Sequence, residues 1–188
     1  RESIGTEKAG IMRTTKPCIC GDQDPPNSVL AYAKKIDTPL TLVKEKYEGE
    51  IGLEGDHQKL NATVAIKVAE AISEEFPVSK EMIKIGIKQA QIVARFEKFN
   101  VGNKTVILDV AHNPAAVQTL IKTLSDSPME TVAIFSALVD KNIDDMISLA
   151  AVHIKHWFLV PLSAERSIKM EALEDKFGDS QKTTVCHS

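Results

Sequence analysis

From Thr105 to Cys186 apolar strands alternate with amphipathic helices at short, regular spacing, and this alternation restricts the fold more than any other feature. Strands are expected at Thr105–Val110, Thr131–Ala137, Trp157–Val160 and Thr183–Cys186, with helices at Pro114–Leu124, Ile143–Val152 and Met170–Phe177 between them. A strand, a helix and a second strand in so few residues fit the βαβ unit, and several in a row give a parallel sheet covered by helices. The first half is less regular. A strand at Pro17–Cys20 and a turn at Gly21–Pro26 lead into a helix at Asn27–Ile36 and a short strand at Thr41–Val43. Residues 44–57, with Gly49, Gly52 and Gly55, read as a hairpin or loop. Helices follow from Asn61 to Ile72, where apolar residues recur at three and four, and from Ser79 to about Ala90. The two halves join near Arg95–Asn103, where Asn100, Gly102 and Asn103 cluster. The expected class is α/β, in two parts.

Composition narrows the setting. A chain of 188 residues is one large domain or two small ones. Its 23 basic and 26 acidic residues leave a formal net charge of -3, without the basic excess of a nucleic-acid or anionic-membrane surface. Cys18, Cys20 and Cys186 are an odd number with no extracellular framework. Cys18 and Cys20 share one strand face, but lack a partner pair at zinc spacing, so buried cytosolic thiols are the simpler reading. No apolar run reaches the roughly 18 residues that span a bilayer, and no signal peptide is visible. A soluble, cytoplasmic protein is the expectation.

Four short stretches have chemical content. In Asp109-Val110-Ala111-His112-Asn113-Pro114 an apolar strand runs into polar residues, and Pro114 suits the first turn of a helix. Ligands of open α/β sheets bind beyond the carboxyl ends of the strands, beside helix N-termini that favour anions. Asp109 and Asn113 either serve such a ligand or cap the helix, and His112 on the same loop tips the balance towards function. Glu7-Lys8-Ala9-Gly10-Ile11 holds a lysine whose simplest reading is a solvated helix face. His57-Gln58-Lys59-Leu60-Asn61 stands at an expected helix start, where Asn61 caps the helix or meets a nucleobase. Arg95-Phe96-Glu97 lies at the join, where an arginine reaches a phosphate or pairs with Glu97 on the surface.

The order and wording of these stretches resemble the folylpolyglutamate synthase and dihydrofolate synthase family, within the Mur ligase superfamily. The matching residues are Glu7 to Arg13, Lys16-Pro17, His57-Gln58-x-x-Asn61-Ala62, Arg95-Phe96, Ile107 to Pro114, and Phe135-Ser136-Ala137-Leu138-x-Asp140-Lys141. Ala94 stands where the family has Gly, and Glu165-Arg166 where it has Pro-Arg. The opening Arg1 to Gly5 looks most like the bifunctional bacterial enzymes.

The resemblance implies the last part of a P-loop-type ATPase domain over residues 1–94, a hinge at 95–103, and a Rossmann-like Mur ligase C-terminal domain over 104–188. It implies ATP and Mg²⁺ as cofactors and an acyl phosphate that L-glutamate attacks, on dihydropteroate or a reduced folate. The enzyme is expected to be a monomer, with no nucleic-acid or membrane partner. By the same resemblance Lys8 aligns with a lysine that becomes a Mg²⁺-holding carbamate, which requires a desolvated amine. Asn61, Arg95 and Asp109 align with ATP contacts, and His112 with a residue near the amino-acid end, with an orienting role. Arg95 and Asp109 share a nucleotide only after the second domain swings in. The sequence has no Gly-Lys pair and so no phosphate-binding loop. With no Met at Arg1, it is expected to be an internal fragment, inactive alone. Two other readings stay open: a Mur-type ligase acting on a cell-wall nucleotide precursor, and a non-catalytic module binding a small anion at the Asp109 loop. The Lys-Ala-Gly-Ile and Ala-His-Asn-Pro wordings favour the folate branch.

Overall fold

The chain opens on two helices whose junction is built by one carboxylate. Helix α1 (Glu2–Ala9) and helix α2 (Asn27–Lys35) pack together, and α2 has no side-chain cap of its own, because Pro26 stands at its N-cap. Glu2 supplies the missing acceptor: its carboxylate takes the N–H groups of Ser28 at 2.8 Å and Asn27 at 3.1 Å. Gly5 allows the approach, since a β-carbon there would fall against Ser28 Oγ and 2.8 Å from Pro26 Cβ. The buried cluster under this pair is Ala9, Met12, Val29 and Ala33.

The computed structural model describes residues 1–125, 130–178 and 181–187, which divide into two compact units, Arg1–Ile92 and Val93–Ser188. In the first unit, strands β1 (Cys18–Cys20) and β2 (Leu40–Leu42) pair in parallel, Cys18 opposite Leu40, with α2 as their crossover. The strand, helix and short strand expected here thus form a βαβ unit. Helix α3 (Asp56–Ala71) starts well before Asn61, because Gly55 at φ +104° ends the preceding loop and Asp56 places an acidic side chain in the first turn. Helix α4 (Lys80–Gln89) opens where expected and is capped by Ser79, whose Oγ accepts the Met82 N–H at 3.2 Å.

The second unit begins with an element absent from the expectation. Strands β3 (Glu97–Val101) and β4 (Lys104–Leu108) form an antiparallel hairpin across the two-residue turn Gly102-Asn103, with Gly102 at φ +61°. The segment expected as hinge is therefore largely one arm of a hairpin, and β4 ends before Asp109 instead of running to Val110. Strands β5 (Thr131–Phe135), β6 (Ile154–Leu159) and β7 (Thr183–Val185) form a parallel sheet in chain order. Helices α5 (Pro114–Ser125), α6 (Ile143–Ala150) and α7 (Met170–Glu174) complete the alternation. The core contains Val117, Ile121, Met146, Ile147, Leu159 and Leu173. Phe135, Trp157 and Phe177 meet there edge to face, with centroids 5.1 to 6.1 Å apart. Among the described residues no helix is long and apolar enough to cross a membrane.

Candidate functional site

The loop after β4 is organised around one carboxylate. Asp109 Oδ1 accepts the Ala111 N–H at 2.8 Å, and Oδ2 accepts the Phe96 N–H at 2.8 Å. The first bond closes a tight turn past the strand; the second ties that turn to the start of the unit. Capping falls to Asn113, whose Oδ1 accepts the Ala116 N–H at 2.9 Å at the start of α5. His112 is exposed, and its Nδ1 lies 2.9 Å from the Val110 carbonyl. A carbonyl can only accept, so Nδ1 carries a proton in this contact, and the tautomer that fits it has Nε2 as the acceptor.

Ala94-Arg95-Phe96 is the second piece. Ala94 has φ +54° and Phe96 φ +51°, two left-handed residues flanking Arg95. The Val110 N–H donates to the Ala94 carbonyl at 2.9 Å, the Ala94 N–H donates to Glu97 Oε2 at 2.9 Å, and the Phe96 ring is buried. Arg95 itself is exposed, and among the described residues its guanidinium has no hydrogen bond or ion pair. The surface pair with Glu97 that the sequence allows does not form; one Glu97 oxygen instead accepts the Ala94 N–H.

Beyond the carboxyl end of β5, Lys141 Nζ lies 2.7 Å from Asp140 and the Arg166 guanidinium 3.5 Å from the same carboxylate. The Lys141 ammonium bonded to it holds the Asp140 carboxyl below the usual carboxylate range. Leu138 bridges to Ser167, which brings Arg166 to this place.

In the first unit, Asn61 lies inside α3 and caps nothing, which removes the capping role from its two readings. It is exposed, and its Nδ2 donates to Gln58 Oε1 at 2.9 Å, with Gln58 buried one turn earlier. Lys8, in the last turn of α1, is exposed and not desolvated as its carbamate demands. Among the described residues no group of three His, Cys, Asp or Glu side chains is placed to hold a metal ion. Magnesium held through nucleotide phosphates needs only one or two carboxylates, so a missing three-residue group does not bear on the expected Mg²⁺. A nucleotide fits the residues present: Arg95 is an unneutralised cation, and each Asp109 oxygen keeps a lone pair for a hydroxyl.

Glu97 and Gln58 stand in the quoted stretches, but their roles as acceptors for the Ala94 N–H and the Asn61 amide are not announced by the sequence. Glu97 stands three residues after a left-handed alanine, and nothing in the sequence marks Ala94 as left-handed.

Comparison with known proteins places this geometry. A family model described as Mur ligase, glutamate ligase domain matches residues 94–188, just over half of the chain. The chain belongs to the Mur ligase family. This bears out the resemblance read from the motifs, and the α/β fold with it. Several curated relatives carry the name dihydrofolate synthase/folylpolyglutamate synthase, two of them as follows. The one from Buchnera aphidicola subsp. Baizongia pistaciae is 32% identical over 89% of this chain and 43% of its own length. The one from Escherichia coli K12 is 29% identical over 96% of this chain and 46% of its own. The solved structure of E. coli FolC in complex with DHPP and ADP superposes with a TM-score of 0.83 at 25% identity, covering all of this chain and 48% of that one. The chain thus spans about half the length of the Mur ligase relatives it matches.

Proposed function

We propose that the protein carrying this chain is an ATP-dependent ligase that forms an amide between L-glutamate and the carboxylate of dihydropteroate or a folylpolyglutamate. The carboxylate is activated as an acyl phosphate, the glutamate amine displaces phosphate, and ADP and phosphate leave. The observation that carries the reading is the unpaired Arg95 held on the carboxylate-bound turn beside Asp109, in a segment matching a glutamate ligase domain. An exposed arginine left without a counter-ion beyond strand β4 is a ready phosphate contact. The names of the two curated relatives support folate over a cell-wall precursor as the acceptor.

In this reading Arg95 meets the nucleotide phosphates and Asp109 accepts from a nucleotide hydroxyl while bracing the turn. His112, with Nε2 as acceptor, orients the amino-acid end. Asn61 contributes its amide and Lys8 its amine from the first unit, the amine covered in the whole protein by segments beyond these 188 residues. Those residues alone lack a phosphate loop and are proposed to be inactive.

The test is ATP-dependent incorporation of L-glutamate into dihydropteroate and tetrahydrofolate by the whole protein, with ADP counted against amide. One ADP per amide bond is expected with at least one acceptor. No ADP with either acceptor, but turnover with a cell-wall nucleotide precursor, moves the protein to the other ligase branch. For Arg95→Ala a raised KM for ATP is expected, roughly tenfold or more for the loss of a charged contact.

A further inference from the structure

Arg95 stands next to two carboxylates and pairs with neither, and this is the feature the proposed reaction does not itself explain. Glu97 is two residues away and half-buried, and Asp109 is fastened to the neighbouring peptide. An arginine so placed would ordinarily take one of them as a counter-ion. Both are already engaged by backbone donors: Glu97 Oε2 holds the Ala94 N–H at 2.9 Å, and Asp109 Oδ2 holds the Phe96 N–H at 2.8 Å. The donors are those of the two residues flanking Arg95, and both have positive φ, at +54° and +51°. Each left-handed residue is unfavourable for an L-side chain, so such a turn persists only where its surroundings over-determine it. The third tie, from the Val110 N–H to the Ala94 carbonyl, and the buried Phe96 ring complete that constraint.

We infer that Glu97 is a positioning residue for Arg95: its carboxylate fixes the left-handed turn from one side as Asp109 fixes it from the other, and the turn so held presents an exposed, unpaired guanidinium to an anion. The anion is a phosphate of the nucleotide, so the inference rests on the function proposed above. Glu97 touches neither substrate nor reacting atom. It acts only through where Arg95 points.

The two possible roles of Glu97 respond differently to substitution. As a clasp it needs an oxygen acceptor at that distance and no charge, so Glu97→Gln keeps the bond to Ala94 N–H. As a charge partner or a long-range electrostatic element it needs the charge, and Glu97→Gln removes it. Steady-state kinetics of the whole protein with ATP as the varied substrate separate them. In Glu97→Ala the KM for ATP is expected to rise about tenfold, against a smaller change in kcat, with Glu97→Gln within about twofold of wild type. Glu97→Ala is expected to add nothing to Arg95→Ala in the double variant, since it acts through that side chain.

An additive double variant overturns the inference, as does a Glu97→Gln variant as impaired as Glu97→Ala. Arg95→Ala with a raised KM and Glu97→Ala without one also overturns the clasp, leaving the nucleotide role of Arg95 standing. A wild-type KM in Arg95→Ala removes the nucleotide role itself and the clasp with it. Should Glu97→Ala fail to fold, Glu97→Asp is the substitute, since it keeps the charge and withdraws the oxygen by one methylene. A raised KM for ATP in that variant supports the clasp, and a wild-type value overturns it.

Discussion

At Ala94 the backbone is left-handed, at φ +54°, where the resembling family has glycine. An L-residue there costs about 1–2 kcal/mol relative to its ordinary conformations. Glycine would remove that cost and add about 0.5–1 kcal/mol of unfolded-state entropy. Ala94→Gly is therefore expected to leave stability unchanged or raise it by up to about 1 kcal/mol, read from the urea midpoint followed by Trp157 fluorescence. A clear drop in midpoint would show that the alanine methyl packs usefully. Asp109 points the other way. Removing its carboxylate strands two amides, and a buried donor without an acceptor costs about 1–3 kcal/mol, so Asp109→Ala confounds folding with catalysis and Arg95→Ala is the cleaner probe. That Asp109 and His112 stand between a strand end and a helix start was legible in the sequence, whereas Arg95 read only as a residue at the join of the two halves. Their wiring was not legible. Which donor Asp109 accepts from depends on a chain reversal at residues 94–97, and an alanine does not advertise positive φ.

At the scale of elements, the strongly periodic segments were legible and the polar ones were not. Helices α2, α4, α5 and α6 fall where apolar residues recur at three and four, and Ser79 caps α4 as its chemistry suggests. Strand β3 went unseen because Glu97, Lys98 and Asn100 give a hairpin arm with little apolar signal, most of it exposed. Helix α3 runs further towards the N-terminus than its apolar stripe, since Asp56 and His57 are polar and exposed. The capping of α2 by Glu2 joins residues far apart in sequence, which periodicity cannot show. It also has a pH signature. Chiefly the Ser28 N–H, then the Ser28 side chain and after it the Asn27 N–H, hold the Glu2 carboxyl below its ordinary value. A group depressed on folding contributes stability that is fully present above its unfolded pKa, about 4.3, and lost as pH falls through the folded one. Glu2→Gln is accordingly expected to melt at a lower temperature than the wild type at pH 7, with the gap narrowing below about pH 4 as the wild-type carboxylate protonates. Equal melting temperatures at pH 7, or a gap independent of pH, would remove Glu2 as the charged cap of α2.

Across the whole molecule, the two units differ in what they can bury, and this sets how the chain should unfold. The first unit's main cluster is Ala9, Met12, Val29 and Ala33, two of them alanines, and α4 contributes no buried residue at all. The second unit's cluster includes Trp157, Leu159, Leu173 and Phe177, with Leu159 and Leu173 fully buried. At about 25 cal/mol for each Å² of apolar surface removed from water, large side chains contribute most of the driving force, and alanine little. The residues of the second unit should therefore fold as a cooperative body by themselves, and those of the first should not. Trp157 is the chain's only tryptophan and lies in the second unit, so its fluorescence follows that unit alone, while far-UV circular dichroism follows both. In urea the fluorescence transition of the 188-residue chain is expected at higher denaturant than the first loss of helical signal. Expressed separately, residues 93–188 should reproduce that fluorescence transition, and residues 1–92 should lose ellipticity gradually with no midpoint. Coincident fluorescence and dichroism curves in the intact chain, joined by a sharp transition in 1–92, would mean that the first unit holds more stabilising contact than its small buried cluster provides.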